Sequence, residues 1–272
     1  MDDLSFESDI QKDPVDLACA ALHLAREVAF PQLDIRAYLQ RLEHLAELAG
    51  EAIPEEDARQ RALALSDFLF NQLRFEGNAA DYDDPRNSYL NEVLDRRLGI
   101  PISLSAIYLD LARRLHIDAA GIGMPGHFIV GIGLPEERLY IDPFHGGRLL
   151  STADCLQLVA QSTGYQGEFR PEWLEPASTT RMLVRMLFNL RNIYLQKNDW
   201  QHAQAVVERM AMLEPEMPNH LRDLGVIHYQ NNSLTKAVYY YEQYLLRAPQ
   251  AEDAGLVRAS LHSAAQRLSA LN

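Results

Sequence analysis

The last third of the chain repeats itself. Leu213-Glu214-Pro215 is answered 34 positions later by Arg247-Ala248-Pro249, and the same step carries Leu187 onto Leu221, Leu190 onto Leu224, Ala203 onto Ala237 and Val207 onto Tyr241. Turn-forming groups, Lys197-Asn198-Asp199 and Asn231-Asn232-Ser233, divide each repeat in two. A unit of two helices cannot bury its apolar face alone, so it must stack on its neighbours. Ala203 and Ala237 are small enough for the paired helices to cross closely, and the closing prolines end the second helix of each pair.

A 34-residue period of paired helices is the tetratricopeptide signature. Two repeats and a final capping helix at about 252–270, marked by Leu256, Leu261, Ala264 and Leu268, fill residues 180–270. Such an array either presents a groove to a protein or peptide partner or serves as a packing and dimerisation appendage, and fold alone does not choose between them. The oligomeric state is not legible in the sequence.

Upstream, residues 15–176 read as a separate domain. Val15, Ala18, Leu22, Ala25 and Ala29 recur at helical spacing up to Pro31. Ile35, Leu39, Leu42, Leu45 and Leu48 mark a second helix, with Gly50 as its C′ residue. A third is expected from about Glu55 to Leu73, on the stripe Ala58, Ala62, Leu65, Phe68, Leu69 and Leu73. A Gly-, Asn- and Asp-rich loop leads to a short helix that stops at Gly99, and then to an amphipathic helix after Pro101. Residues 119–150 read as β structure, chiefly two adjacent antiparallel strands, GHFIVGIGL and RLYIDPF, joined by a Pro-Glu-Glu turn. Residues 1–14 form an acidic arm without periodicity, expected to be loose or to lie as a lid on the cleft.

The formal net charge of −13 opposes binding to nucleic acid phosphates or anionic membranes. The acidic start has no basic region and no apolar run, which predicts a cytoplasmic chain without a membrane span. Cys19 and Cys155 lie far apart in apolar helical contexts and read as buried small hydrophobes rather than a disulfide.

Chemistry concentrates in three pieces: GIPISLSAIYLDLARRLHI, PGHFIVGIG and LYIDPFHGG. They put Ser103 at a helix N-terminus, His127 on a strand and Asp142 on the next, the order of a nucleophile–His–Asp site. Each residue has a plainer role open to it. Ser103 can satisfy helix N–H groups, His127 can be a buried hydrogen-bonded histidine, and Asp142 can cap the turn at Pro143. Asn87 and Asn91 can donate to a bound carbonyl or cap their helix. His127, Asp142 and His145 can be written as a nitrogen–oxygen ligand set, but Asp142-x-x-His145 does not by itself fix an ion. No metal and no cofactor are expected.

The run NSYLNEVLDRRLGIPISLSAIYLDLARRL, with PGHFIV and IDPFHGG, resembles the SirB family, whose members join a transglutaminase-like core to tetratricopeptide repeats. The resemblance covers about residues 15–260. It implies an α+β fold: a papain/transglutaminase-like core, a helix bundle plus an antiparallel sheet, followed by an all-α repeat domain. It also implies a regulatory association in bacteria. Active members of the wider superfamily begin the central helix with cysteine. Here His127 and Asp142 match the later positions, while the helix start offers Pro101, Ile102, Ser103 and Ser105. A helix terminus and an imidazolium ionise a thiol at neutral pH but not a serine hydroxyl. The resemblance therefore implies a non-catalytic binding or regulatory protein, a pseudoenzyme, whose cleft is bordered by Asn87, Asn91, Pro125 and Gly126. The alternative is a hydrolase of peptide or amide bonds that uses Ser103, His127 and Asp142.

Overall fold

The computed structural model describes residues 5–53, 57–134 and 137–270. The start expected for the third helix at Glu55, most of the Pro-Glu-Glu turn and the first four residues of the arm lie outside them. The described part divides into two units, one up to Met186 and one from Leu187 onward.

In the first unit the arm ends in a short helix, α1 (Phe6–Ile10), where the sequence pointed to a loose segment. Ser5 and Ser8 close a reciprocal cap at its start. Phe6 and Asp9 are buried, Asp9 Oδ2 lies 2.5 Å from His23 Nδ1, and the Phe6 N–H donates to Glu27 at 2.7 Å. Five residues carry too little periodicity to show such docking in advance.

Helices α2 (Leu17–Val28) and α3 (Ile35–Ala52) open on Asp16 and Asp34, each of which accepts a backbone N–H three residues on. The second of them runs through Gly50, where the sequence reading placed its end, because Ala49 and Ile53 extend the buried stripe. Helix α4 (Ala58–Ser66) continues into a π-helical stretch, Asp67–Gln72. Two residues, Glu76–Gly77 (β1), pair in parallel with Leu98–Gly99 (β2), on either side of α5 (Leu90–Arg96). At the centre lies α6 (Pro101–Arg114), buried along most of its length, with Pro101 at its first turn where a missing N–H costs nothing.

The sheet against α6 has four antiparallel strands in chain order: β3 (Ala119–Met124), β4 (His127–Ile132), β5 (Leu139–Asp142) and β6 (Arg148–Leu150). Two of these, β3 and β6, extend the pair expected from sequence. Its far face packs on α7 (Thr152–Thr163), where Cys155 is fully buried among Ile122, Met124, Ile129 and Val159, and burial pushes its thiol up to about 11.

A long helix, α8 (Thr179–Gln196), contains the division between the units, further along the chain than the boundary expected at 176–180. The second unit continues with α9 (Trp200–Leu213), α10 (Asn219–Gln230), α11 (Leu234–Arg247) and α12 (Ala254–Ser269). The 34-residue period is visible in the backbone. Asn198 and Asn232 both take left-handed φ, 55° and 58°, at the turn inside each pair. Ala203 and Ala237 are both fully buried. Gly225 marks a close crossing of α10 and α11, since a Cβ there would lie 2.5 Å from the Tyr241 ring. Among the described residues no helix is long and apolar enough to cross a membrane.

Candidate functional site

The β3–β4 hairpin sets His127. Met124 pairs with His127, so Pro125 and Gly126 are its two-residue turn. Gly126 has φ +71°, the left-handed value that a Pro-Gly turn of this kind requires. A side chain there would also collide with the Ser162 hydroxyl. Pro125 and Gly126 therefore serve the geometry that launches β4.

Asp142 ends β5. Val130 pairs with Ile141, which places Asp142 opposite Ile129 and His127 two positions along on the same face. The two side chains meet on the diagonal rather than directly opposite. His127 Nε2 lies 3.0 Å from Asp142 Oδ1, and both residues are buried. Nδ1 of His127 has no hydrogen-bond partner among the described residues.

Asp142 is also the hub of the turn that follows. Its Oδ1 accepts the Phe144 N–H at 3.2 Å, its Oδ2 lies 2.6 Å from His145 Nδ1, and Arg148 Nε stands 3.6 Å from Oδ2. Burial alone would raise this carboxyl, but the hydrogen bonds and charge of His127 and His145 outweigh it and hold it below the usual carboxylate range. Gly146 and Gly147 both have positive φ, and Gly147 packs so tightly on Ser66 and Phe70 that a Cβ would overlap both side chains. His127, Phe144 and Tyr82 form an edge-to-face aromatic series, with centroids 6.2 and 5.8 Å apart.

Ser103 is fully buried at the third position of α6. Its hydroxyl accepts the Ile100 N–H at 3.0 Å and faces two carbonyls, Asn87 at 2.6 Å and Ile100 at 3.1 Å. Among the described residues no hydrogen bond joins Ser103 to His127. Structure thus brings His127 and Asp142 together and engages Ser103 with the backbone of its own helix start and of the preceding loop.

The two asparagines differ. Asn87 uses its whole amide: Nδ2 donates to the carbonyls of Asp81 and Tyr82, and Oδ1 accepts from Asn78 and Arg96. Asn91 is buried with Oδ1 unpartnered, as are Ser88 Oγ and Arg96 Nη1 on the same stretch. Arg148 and Tyr82 were not singled out in the sequence. The three-residue spacing of Asp142, His145 and Arg148 is the signal that could have found Arg148.

Two groups of ligating side chains converge. His127, Asp142 and His145 each present one ligand atom, all within 4.8 Å of one another, and so do Asp9, Cys19 and His23. In the second group the Cys19 thiol is pushed up to about 12, first by burial and then by the Asp9 carboxylate.

A central buried helix, an antiparallel sheet carrying an aligned His–Asp pair, and paired helices of 34-residue period define a transglutaminase-like protein with tetratricopeptide repeats. Comparison with known proteins agrees: residues 36–188 match the transglutaminase-like superfamily, and residues 190–262 match the tetratricopeptide repeat. The chain belongs to the UPF0162 (SirB-type) family. It is 34% identical to a UPF0162 protein of Xylella fastidiosa over 93% of this chain and 91% of that one. A UPF0162 protein of Vibrio cholerae is 26% identical over 92% and 93%. Human F-box only protein 21 is 36% identical over 138 residues, 47% of this chain and 22% of that protein. Menin aligns with 94% of this chain and 72% of its own at a TM-score of 0.41 and 10% identity, a likeness that carries no argument.

Proposed function

We propose that this protein is a non-catalytic binding module, in which the transglutaminase-like domain offers a recognition cleft and the repeats engage a protein or peptide. The observation that carries the reading is the hydroxyl of Ser103. It has one proton, and that proton faces the carbonyls of Asn87 and Ile100. An attacking serine must instead give its proton to a base within hydrogen-bond reach. His127 and Asp142 remain as an oriented pair with an open nitrogen, suited to hold a hydrogen-bond donor.

The repeats support the second half of the reading. Positions 34 apart on successive first helices hold Phe188, Arg222 and Leu256, and Phe188 and Leu256 are 44% and 74% exposed. Phe188 and Leu256, two periods apart, display apolar surface of the kind a peptide-binding face uses, while Arg222 between them is held in ion pairs with Asp223 and Asp253.

The alternative is a Ser103–His127–Asp142 hydrolase, favoured by the intact His–Asp contact. A fluorophosphonate probe separates the two. The binding reading expects no adduct on the folded wild-type protein by intact mass. An adduct mapped to Ser103 and absent from Ser103→Ala overturns it.

A further inference from the structure

We propose that His127, His145 and Asp142 bind a single borderline divalent ion of the zinc or iron(II) class. The geometry is at coordination scale before any ion is considered. Ligand atoms about 2.0–2.2 Å from one ion stand roughly 3 Å from each other. His127 Nε2 is 3.0 Å from Asp142 Oδ1, and His145 Nδ1 is 2.6 Å from Asp142 Oδ2. A small opening of the cluster gives both nitrogens and one carboxylate oxygen access to a shared centre.

The way the cluster is built favours an ion over a simple orienting contact. Orienting one imidazole takes one carboxylate oxygen. Here both oxygens are in use, and the second imidazole sits at the end of the 3-10 turn Pro143–His145, which two left-handed glycines follow, the second pressed against Ser66 and Phe70. Two ligands are rigid: His127 is buried on β4, and Asp142 is fully buried at the end of β5, fixed also by the Phe144 N–H. The third is the gate, since the His145 side chain is 44% exposed. That exposure provides an entry route and leaves coordination positions open to water or a ligand. Arg148, 3.6 Å from Oδ2, stays as a further partner of the carboxylate.

Donor chemistry selects the class. Two imidazoles and one carboxylate suit zinc, iron(II), cobalt(II) or nickel(II). Calcium and magnesium need several more hard oxygens, and this set supplies one carboxylate. The inference stands apart from the binding-module reading, because an ion here is compatible with an unreactive Ser103.

The test is titration of chelator-treated full-length protein with Zn2+ by calorimetry and with Co2+ by visible absorption. The expected result is one equivalent bound, with cobalt d–d bands of low-symmetry nitrogen–oxygen coordination. His145→Ala, an exposed site that leaves His127 and Asp142 paired, is expected to weaken binding at least about ten-fold while the circular dichroism is unchanged. Cys19→Ala, in the other ligating cluster, is expected to leave binding as it is. Absence of a stoichiometric site in wild type overturns the proposal, and so does binding that survives His145→Ala or is lost with Cys19→Ala.

Discussion

His127 meets Asp142 through Nε2 at 3.0 Å, which leaves Nδ1 without a partner among the described residues. This is the arrangement of an oriented base. The hydroxyl on the helix expected to complete it is engaged elsewhere, with the backbone of Asn87 and Ile100. The result is an orienting pair without a poised nucleophile.

Ser103→Ala should destabilise the first unit by about 1–2 kcal/mol, because it leaves the buried Ile100 N–H and the Asn87 carbonyl short of a partner. Urea unfolding reads the change, and a neutral result contradicts the structural role given to this hydroxyl.

Asp142→Asn should cost about 3 kcal/mol near neutral pH, as for one member removed from a buried charged network. The carboxyl is held below its ordinary value in the folded state, so its contribution is complete above the unfolded value of about 3.9 and fades as pH falls through the lower folded value. Stability measured against pH for both proteins should therefore begin to converge below about pH 4 and meet once pH is below the lower folded value. A gap that persists there points to packing rather than charge.

In the repeats, Gly225→Ala should destabilise even though alanine is the better helix former by about 1 kcal/mol. The new methyl group meets the buried Tyr241 ring at 2.5 Å, and overpacking of this kind costs about 1–3 kcal/mol. Pairing it with Tyr241→Leu should recover part of the loss in thermal unfolding.

His228 is buried against Tyr240 with Nδ1 unpartnered, and burial lowers its pKa first, with Lys236 adding to the effect. A histidine lowered in the folded state stays neutral while the unfolded chain takes up a proton. Stability of the second unit should fall as pH drops below about 6.5 and level off at the folded value. Hydrogen exchange of the α10 amides at pH 7 and pH 5.5 checks this, and His228→Leu should flatten the dependence.

Legibility in the sequence followed periodicity. The paired helices α8 to α12 and the central α6 could be read because their apolar stripes are long and their repeats aligned. The short strands β3 and β6 fell within the stretch read as β structure but could not be resolved as separate strands, since AAGIGM lacks alternation and β6 is three residues long. The docked α1 was hidden because a tertiary contact, Asp9 to His23, holds it in place. At the site, the order of Ser103, His127 and Asp142 was visible, but which of them touch was not. That depended on strand register, which set a diagonal contact, and on the 3-10 turn Pro143–His145 that brings His145 back onto Asp142.

The most direct test of the central claim places a thiol at position 103. In Ser103→Cys, the rate of alkylation by iodoacetamide against pH reports whether this position faces His127. The native cysteines interfere little, since their thiols are pushed up to about 12 at Cys19 and about 11 at Cys155. If position 103 faces backbone carbonyls, the introduced thiol should be unreactive or should titrate at or above the ordinary thiol value of about 8.5. An inflection below about pH 7 that disappears when His127→Ala is added would reveal a thiolate–imidazolium pair and contradict the account.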